Sequence, residues 1–284
     1  MTEQLDEQAL RRGGIAMEQV AATHARLSNI VIPIYAEKDN KVLYLEASAF
    51  LLRIKDAVFL VTASHTLRAY ANSPFWVPAG GKPFGLNALF SHTKIEGAVD
   101  LAFARLDERM DPLLAEYRIL TLDDIDVEDW PEPNHIYTFI GYPSSMNKAN
   151  LKTKTLQPTM QPYSSHKPLL LDEYPIHDLN PCSAIAVYFD LSKAEREGTG
   201  EVVQPKSPVG ISGGPVFRIG QFQELYEGTN REKVVGLGVG YEYKPDRLVG
   251  ARISLVIEGI RLRHSDLADA LPTNPRCAFN VTVI

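Results

Sequence analysis

The sequence predicts a mostly β protein whose strands form two barrels, with a helix before the first barrel and another after the second. Two observations predict this fold. From about residue 30 the chain consists of short runs rich in β-branched and aromatic residues, separated by turn-forming residues. An acidic stretch with two prolines, residues 123–133, divides these runs into two halves of similar texture. Many short strands joined by turns usually form a barrel or a sandwich, so each half is predicted to form one barrel.

The strand predictions follow from these apolar runs. The runs at 49–53 and 58–62 flank a short turn, so they are expected to form a hairpin. The predicted strands cover residues 29–36, 42–46, 48–53, 58–62 and 101–106 in the first half, and 136–140, 184–190, 214–219, 234–240 and 251–254 in the second.

The predicted helices lie near the two ends of the chain. Residues 5–27 lack proline and are rich in Ala, Gln, Glu and Arg, which favours a helix, and we expect Gly13 and Gly14 to interrupt it. Residues 255–271 carry apolar residues at helical spacing. The predicted organisation is a helical leader over residues 1–28, a first barrel over 29–125, a second barrel over 126–254, and a C-terminal helix and tail over 255–284.

Composition excludes several function classes. The chain has 284 residues and a formal net charge of -6, which argues against a general nucleic-acid-binding surface. No apolar run reaches the roughly 20 residues that a membrane-spanning helix needs. We therefore expect neither a nucleic-acid partner nor a membrane partner.

The cysteines and the first residues bear on the cellular compartment. Cys182 and Cys277 have neither metal-ligand spacing nor the pattern of a disulfide framework, so we expect buried free thiols. Residues 1–12 are charged and lack the apolar centre of a secretory signal. Both features favour a cytoplasmic protein.

Residues 210–215, Gly-Ile-Ser-Gly-Gly-Pro, are the clearest chemical signal. A nucleophilic serine needs a tight turn around its hydroxyl and free backbone N–H groups to bind a developing oxyanion. Ser212 is therefore the candidate nucleophile, and the amides of Gly210 and Ser212 are the candidate oxyanion hole. A glycine-rich turn between two strands is the alternative interpretation.

Such a serine requires a base, most often a histidine that a carboxylate orients. His65 directly follows the predicted strand 58–62, and Asp100 opens the apolar run at 100–103. They are the candidate base and the candidate orienting residue. Each taken alone has an ordinary structural alternative: a surface or core histidine, and a strand-edge or turn aspartate.

Together these motifs resemble the trypsin-like, or chymotrypsin-like, serine peptidase family, in a bacterial-type member. Residues 62–65 match its T-A-x-H element, residues 100–102 its D-[IL]-A element and residues 210–215 its G-x-S-G-G-P element. The order His, Asp, Ser is also the order of the family. Residues 47–51 resemble its G-S-G-F-L strand, and residues 140–143 resemble its G-Y-P turn.

The resemblance implies an all-β fold of two six-stranded Greek-key barrels with an N-terminal and a C-terminal helix. It implies that His65 and Asp100 from the first barrel meet Ser212 from the second in the cleft between them. His65 would act as general base, Asp100 would orient it, and Ser212 would form an acyl-enzyme. No metal ion and no organic cofactor is implied.

Some positions depart from the family or bear on specificity. Ile211 stands where the digestive branch has an aspartate that pairs with a newly freed N-terminal amine, so activation by N-terminal cleavage is not expected. Lys206 falls near the floor of the primary pocket, where it would favour an acidic side chain before the cleaved bond; a solvated lysine is the alternative. Val239, Gly240 and Tyr241 are expected to line the substrate cleft, where Tyr241 would narrow access; an ordinary aromatic residue at a strand end is the alternative for Tyr241.

The sequence thus predicts a serine endopeptidase that acts on protein or peptide substrates. It leaves open whether the enzyme is latent until a substrate or a regulatory protein partner binds. The rival from another class is a catalytically silent, protease-like binding module. A third possibility is an esterase or other acyl transferase that uses the same triad.

Overall fold

A computed structural model describes residues 2–38, 42–69, 74–94, 99–147, 156–194, 202, 205–242, 246–277, 279 and 282–284. Most of its regular structure consists of two antiparallel sheets, which confirms the predicted all-β, chymotrypsin-like two-barrel fold. The first sheet contains β1 (Val31–Lys38), β2 (Val42–Ile54), β3 (Ala57–Thr62), β4 (Phe75–Ala79), β5 (Lys82–Leu86), β6 (Ser91–His92) and β7 (Ala102–Arg105). The second contains β8 (His135–Gly141), β9 (Gln161–Ser165), β10 (Ala184–Tyr188), β11 (Pro215–Gln221), β12 (Lys233–Glu242) and β13 (Arg247–Arg252).

The first sheet has the strand order β5-β4-β1-β2-β3-β7-β6. The predicted hairpin is confirmed, since β2 pairs with β3 in a register that places Ile54 opposite Ala57. Lys55, in the turn, has a φ of 51°. Among the described residues this sheet has seven strands. The prediction of six differs because residues 91–92 form an additional short strand beside β7.

The second sheet has six described strands in the order β10-β13-β12-β11-β8-β9. Residues 167–169 continue from β9 and pair with β10. The Tyr188 amide donates to the Lys167 carbonyl at 2.9 Å, and the Leu169 amide donates to the Ala186 carbonyl at 2.8 Å. These bonds join the two ends of the sheet, so the second half closes as a barrel.

Helices flank the sheets. They are α1 (Thr2–Leu27), α2 (Ser64–Ala69), α3 (Asp111–Glu116), α4 (Phe222–Glu227) and α5 (Ile253–Arg263). The predicted interruption at Gly13 and Gly14 is wrong, because α1 is continuous through both glycines. Helix α5 ends earlier than predicted, and a 3-10 helix, Ser265–Ala270, follows it. Within the part of the chain that the structure describes, no helix is long and apolar enough to cross a membrane.

Cys182 and Cys277 form a disulfide across a sequence separation of 95 residues. The free-thiol prediction is therefore wrong. The fold brings the chain after α5 back to the segment that precedes β10, a proximity that cysteine spacing cannot reveal. The disulfide removes one of the two reasons for expecting a cytoplasmic location.

The acidic stretch between the two sheets is attached to the second barrel. Asp129 is buried, and its carboxylate pairs with Arg218 at 2.8 Å and with Arg252 at 3.5 Å. The Arg252 guanidinium also stacks over the Trp130 ring, 5.1 Å from its centroid. These contacts fix the acidic stretch against β11 and β13, since a buried carboxylate needs cationic partners.

Candidate active site

His65 and Asp100 are in direct contact. His65 is the second residue of α2 and follows β3 closely, while Asp100 precedes β7, which pairs with β3. One carboxylate oxygen of Asp100 lies 2.5 Å from His65 Nδ1, and the other accepts the His65 backbone N–H at 2.8 Å. The Asp100 side chain is only 2% exposed, whereas that of His65 is 40% exposed. The carboxylate therefore fixes the ring so that Nδ1 faces the interior and Nε2 faces the opposite way.

The serine motif forms a tight turn before β11. The Ile211 amide donates to the Pro208 carbonyl at 3.1 Å, and Gly210, the third residue of this turn, has a φ of 100°. A positive φ at that position defines a type II turn and favours glycine. A Cβ at Gly210 would also lie only 2.5 Å from Ser144 Oγ, so the site excludes a side chain there.

This turn contains the two candidate oxyanion amides, those of Gly210 and Ser212. The Ser144 amide donates to the Val209 carbonyl at 2.8 Å, which fixes the peptide group between Val209 and Gly210. In a planar trans peptide the N–H points away from the C=O, so the Gly210 N–H points away from Ser144. Among the described residues, neither the Gly210 amide nor the Ser212 amide has an acceptor. Two N–H groups without acceptors, one on the serine itself and one two residues before it, have the chemistry of an oxyanion hole.

Close packing brings the serine turn next to the histidine. Gly213, with a φ of 85°, lies so near the first barrel that an added Cβ would be 2.8 Å from the Ala63 nitrogen. The same Cβ would collide with Thr62 Oγ1 and with the Ser48 carbonyl oxygen. Because His65 follows Ala63 by two residues, this contact sets the serine turn beside the His65–Asp100 pair.

The Ser212 hydroxyl donates a hydrogen bond to the Val239 carbonyl at 2.9 Å. No hydrogen bond joins it to His65 among the described residues. The backbone around it is held by β12, since the Gly213 amide donates to the Gly238 carbonyl at 2.7 Å. In this conformation the hydroxyl proton is directed at β12 and not at the imidazole.

Ser48, on β2, links the two barrels at the same point. Its backbone amide donates to the Ser212 carbonyl at 2.8 Å, and its hydroxyl donates to the Gly210 carbonyl at 3.0 Å. The Tyr142 amide donates to the same hydroxyl at 2.9 Å. The sequence indicates residues 47–51 only by their resemblance to a family strand, and that pattern does not predict these contacts.

The structure places the predicted cleft residues as follows. Val239, Gly240 and Tyr241 lie on β12 and are half-buried, and the Val239 carbonyl contacts Ser212. The Lys206 side chain is exposed, and its backbone carbonyl accepts a hydrogen bond of 3.0 Å from the Tyr163 hydroxyl. Among the described residues, no group of three or more His, Cys, Asp and Glu side chains could hold a metal ion.

No family model and no curated protein matches the sequence. Among solved structures, the chain is similar to the apo MamO protease domain from Magnetospirillum magneticum, with 11% identity over 81% of this chain and 95% of that chain and a TM-score of 0.45. It is also similar to a structure from work on coupled folding and binding of the intrinsically disordered Sesbania mosaic virus VPg protein. That match has 14% identity over 78% of this chain and 85% of that chain, with a TM-score of 0.43. Both scores are below 0.5, so the fold assignment rests on the two sheets themselves.

Proposed function

We propose that this chain is a serine endopeptidase of the trypsin-like class, with Ser212 as nucleophile, His65 as general base and Asp100 as the residue that orients the imidazole. The observation that carries the proposal is the His65–Asp100 pair, held at 2.5 Å beside a serine turn whose Gly210 and Ser212 amides have no acceptor within the described part of the chain. A glycine-rich turn without a chemical role has no need for a buried carboxylate on a neighbouring imidazole.

The proposed reaction begins when the Ser212 hydroxyl leaves Val239 and turns toward His65. Nε2 takes the hydroxyl proton while Oγ bonds to the peptide carbonyl carbon. The negative charge moves to the carbonyl oxygen, where the Gly210 and Ser212 amides would each contribute about 3 kcal/mol by analogy with measured oxyanion holes.

The tetrahedral intermediate then collapses. The carbon–nitrogen bond breaks, His65 returns the proton to the leaving amine, and the acyl group stays on Ser212. Water enters, gives a proton to His65 and attacks the ester carbon, so that acid is released and the Ser212 hydroxyl is restored. Asp100 stabilises the imidazolium that forms when His65 holds the proton.

The proposed substrate lies along β12. A substrate N–H would donate to the Val239 carbonyl in place of the Ser212 hydroxyl. Gly240, which has no side chain, leaves room for an extended substrate backbone. If Lys206 lines the primary pocket, its ammonium favours an acidic side chain before the cleaved bond. Its exposed position is compatible with such a contact and also with a solvated lysine.

The hydrogen bond from Ser212 to Val239 supports a second candidate function, a catalytically silent, protease-like binding module. Incubation with a mixture of peptides of defined sequence, followed by mass spectrometry of the products, distinguishes the two functions. We expect internal cleavage by the native chain and none by Ser212→Ala. Intact peptides with both proteins would overturn the proposal. Ester substrates are assayed in parallel, and turnover of esters without cleavage of peptides would favour an esterase or other acyl transferase.

A further inference from the structure

Ser48 makes an unusual set of contacts with the serine turn for a residue of the other barrel. We infer that Ser48 is a positioning residue for the oxyanion hole, an inference that rests on the proposed function. The side chain is completely buried and lies 162 residues from Gly210 in sequence. It contacts no reacting atom, so its effect would pass through the turn that carries the two amides.

Ser48 fixes the backbone on both sides of Ile211. The hydroxyl binds the carbonyl of Gly210, and the backbone amide binds the carbonyl of Ser212. Ser144 holds the preceding carbonyl, that of Val209. The peptide groups before and after Gly210 are therefore both fixed by hydrogen bonds, and they set the direction of the Gly210 N–H.

The hydroxyl is itself held in one orientation. A serine hydroxyl has one donor and two acceptor positions. Because it accepts the Tyr142 N–H at 2.9 Å, its proton is directed at the Gly210 carbonyl at 3.0 Å. Gly141 permits this approach, since a Cβ there would lie 2.8 Å from Ser48 Oγ and 2.6 Å from the Ile211 Cα.

Ser48 also connects the turn to the strand that precedes the base. Its carbonyl accepts the Thr62 hydroxyl at 2.8 Å, and Thr62 ends β3 just before His65. One residue thus contacts the oxyanion turn on one side and the histidine strand on the other. The relative position of the base and the oxyanion hole matters, because a misplacement of about 1 Å can lower the rate on the order of 100-fold.

Removal of the hydroxyl would leave the buried Gly210 carbonyl without its donor. The Gly210–Ile211 peptide group would then be held only by the bond from the Ile211 amide to the Pro208 carbonyl. Because glycine tolerates several backbone conformations at similar cost, the turn could shift at Gly210 and displace the preceding peptide group, which carries the Gly210 N–H. If the Val209–Gly210 peptide group is displaced, it no longer presents the Gly210 N–H to the oxyanion. Binding of the substrate along β12 would be unaffected, so the loss should fall on kcat and not on KM.

The test compares Ser48→Ala with Ser165→Ala. Ser165 is a matched control in the second barrel, since its buried hydroxyl also donates to a backbone carbonyl, that of Tyr188, and accepts a backbone amide, that of Lys167. We expect Ser48→Ala to lower kcat on a peptide substrate by about 10- to 100-fold with KM within about threefold, and Ser165→Ala to leave both near the native values. Ser48→Cys, a closer substitution with a weaker donor, should give an intermediate kcat.

Amide hydrogen exchange over residues 205–214 gives a second readout that needs no activity. We expect faster exchange of the Ile211 amide, which is bonded to the Pro208 carbonyl, in Ser48→Ala but not in Ser165→Ala. A native kcat in Ser48→Ala or Ser48→Cys would overturn the inference and leave the proposed function intact. An exchange rate of the Ile211 amide that is unchanged in both Ser48→Ala and Ser165→Ala would do the same. Absence of hydrolysis by the native chain would overturn the proposed function and the inference together.

Discussion

The hydroxyl of Ser212 is bonded to the carbonyl oxygen of Val239, 27 residues later in the chain, at 2.9 Å. His65 and Asp100 are already paired, and the Gly210 and Ser212 amides already lack acceptors among the described residues. Of the groups that the proposed reaction uses, only the nucleophile must move. A rotation about one side-chain bond is fast. The arrangement is therefore compatible with an enzyme in which a substrate N–H binds the Val239 carbonyl and the Ser212 hydroxyl then turns toward His65.

Asp100→Asn should lower kcat by about 10,000-fold with KM within about threefold, because an amide in place of the carboxylate favours the wrong imidazole tautomer. Steady-state kinetics on a cleaved peptide measure both constants. Asp107→Asn is the control, since the Asp107 side chain is exposed and pairs with Arg109. An Asp100→Asn variant with more than a tenth of native kcat would show that Asp100 does not orient the base.

Gly213→Ala should destabilise the fold by about 4 kcal/mol, because the new methyl combines a positive φ with collisions against Ser48 and Thr62. The matched control is Gly228→Ala, at a φ of 67° with no atom within 4 Å of an added Cβ, which should cost only about 1 kcal/mol. Urea unfolding of both variants gives the comparison. Equal losses would mean that the serine turn does not press against the first barrel.

The pH dependence of stability should contain a contribution from Asp129. Burial raises the pKa of Asp129 to about 6, and the nearby Arg252 and Arg218 oppose that rise without cancelling it. Between the unfolded pKa near 3.8 and the folded value near 6, the native state binds the extra proton. The contribution of Asp129 to stability is therefore present at low pH, and it decreases by about 3 kcal/mol in total as the pH rises from well below 3.8 to well above 6.

Comparison with Asp129→Asn isolates this contribution. The free energy of unfolding of the native chain minus that of the variant should decrease by about 2 kcal/mol between pH 4 and pH 6, because asparagine does not titrate. Denaturant unfolding across that range measures the difference. A difference that is constant, or that rises with pH, would contradict the assigned direction of the shift.

Lys206→Glu should change which peptides are cleaved. If Lys206 lines the primary pocket, the ratio of kcat/KM for a peptide with Glu before the cleaved bond to one with Lys there should fall by about fivefold or more. Lys167→Glu, another exposed lysine of the second barrel, is the control for the change in net charge. A ratio that stays the same in both variants would favour a solvated Lys206.

Sequence reasoning predicted the elements whose signal is local. The hairpin of β2 and β3 follows from two apolar runs around a short turn, and both His65 and Asp100 stand at the ends of such runs. Of the four strands that it missed, β4, β5 and β9 each contain a proline that disrupts the alternating pattern, Pro78, Pro83 and Pro162, and β6 has only two residues. Such strands form through tertiary packing, which a local sequence pattern does not reveal.

The other misses concern contacts between distant segments. Nothing near Cys182 indicates its bond to Cys277, and nothing near Ser48 indicates that its hydroxyl reaches Gly210 in the other barrel. The interruption expected at Gly13 and Gly14 followed from intrinsic propensity, which a 26-residue helix overrides. Local patterns thus predicted the candidate residues, whereas the contacts that hold them in place depend on the assembled fold.

The most direct test of the central claim is labelling of the purified protein with a fluorophosphonate, followed by identification of the modified residue by peptide mass spectrometry. The reagent reacts only with a serine whose base and oxyanion hole are assembled. We predict one adduct, on Ser212, that is lost in Ser212→Ala and His65→Ala but retained in Ser165→Ala. A native protein that stays unlabelled, or that labels equally after His65→Ala, would contradict the assignment of an active peptidase.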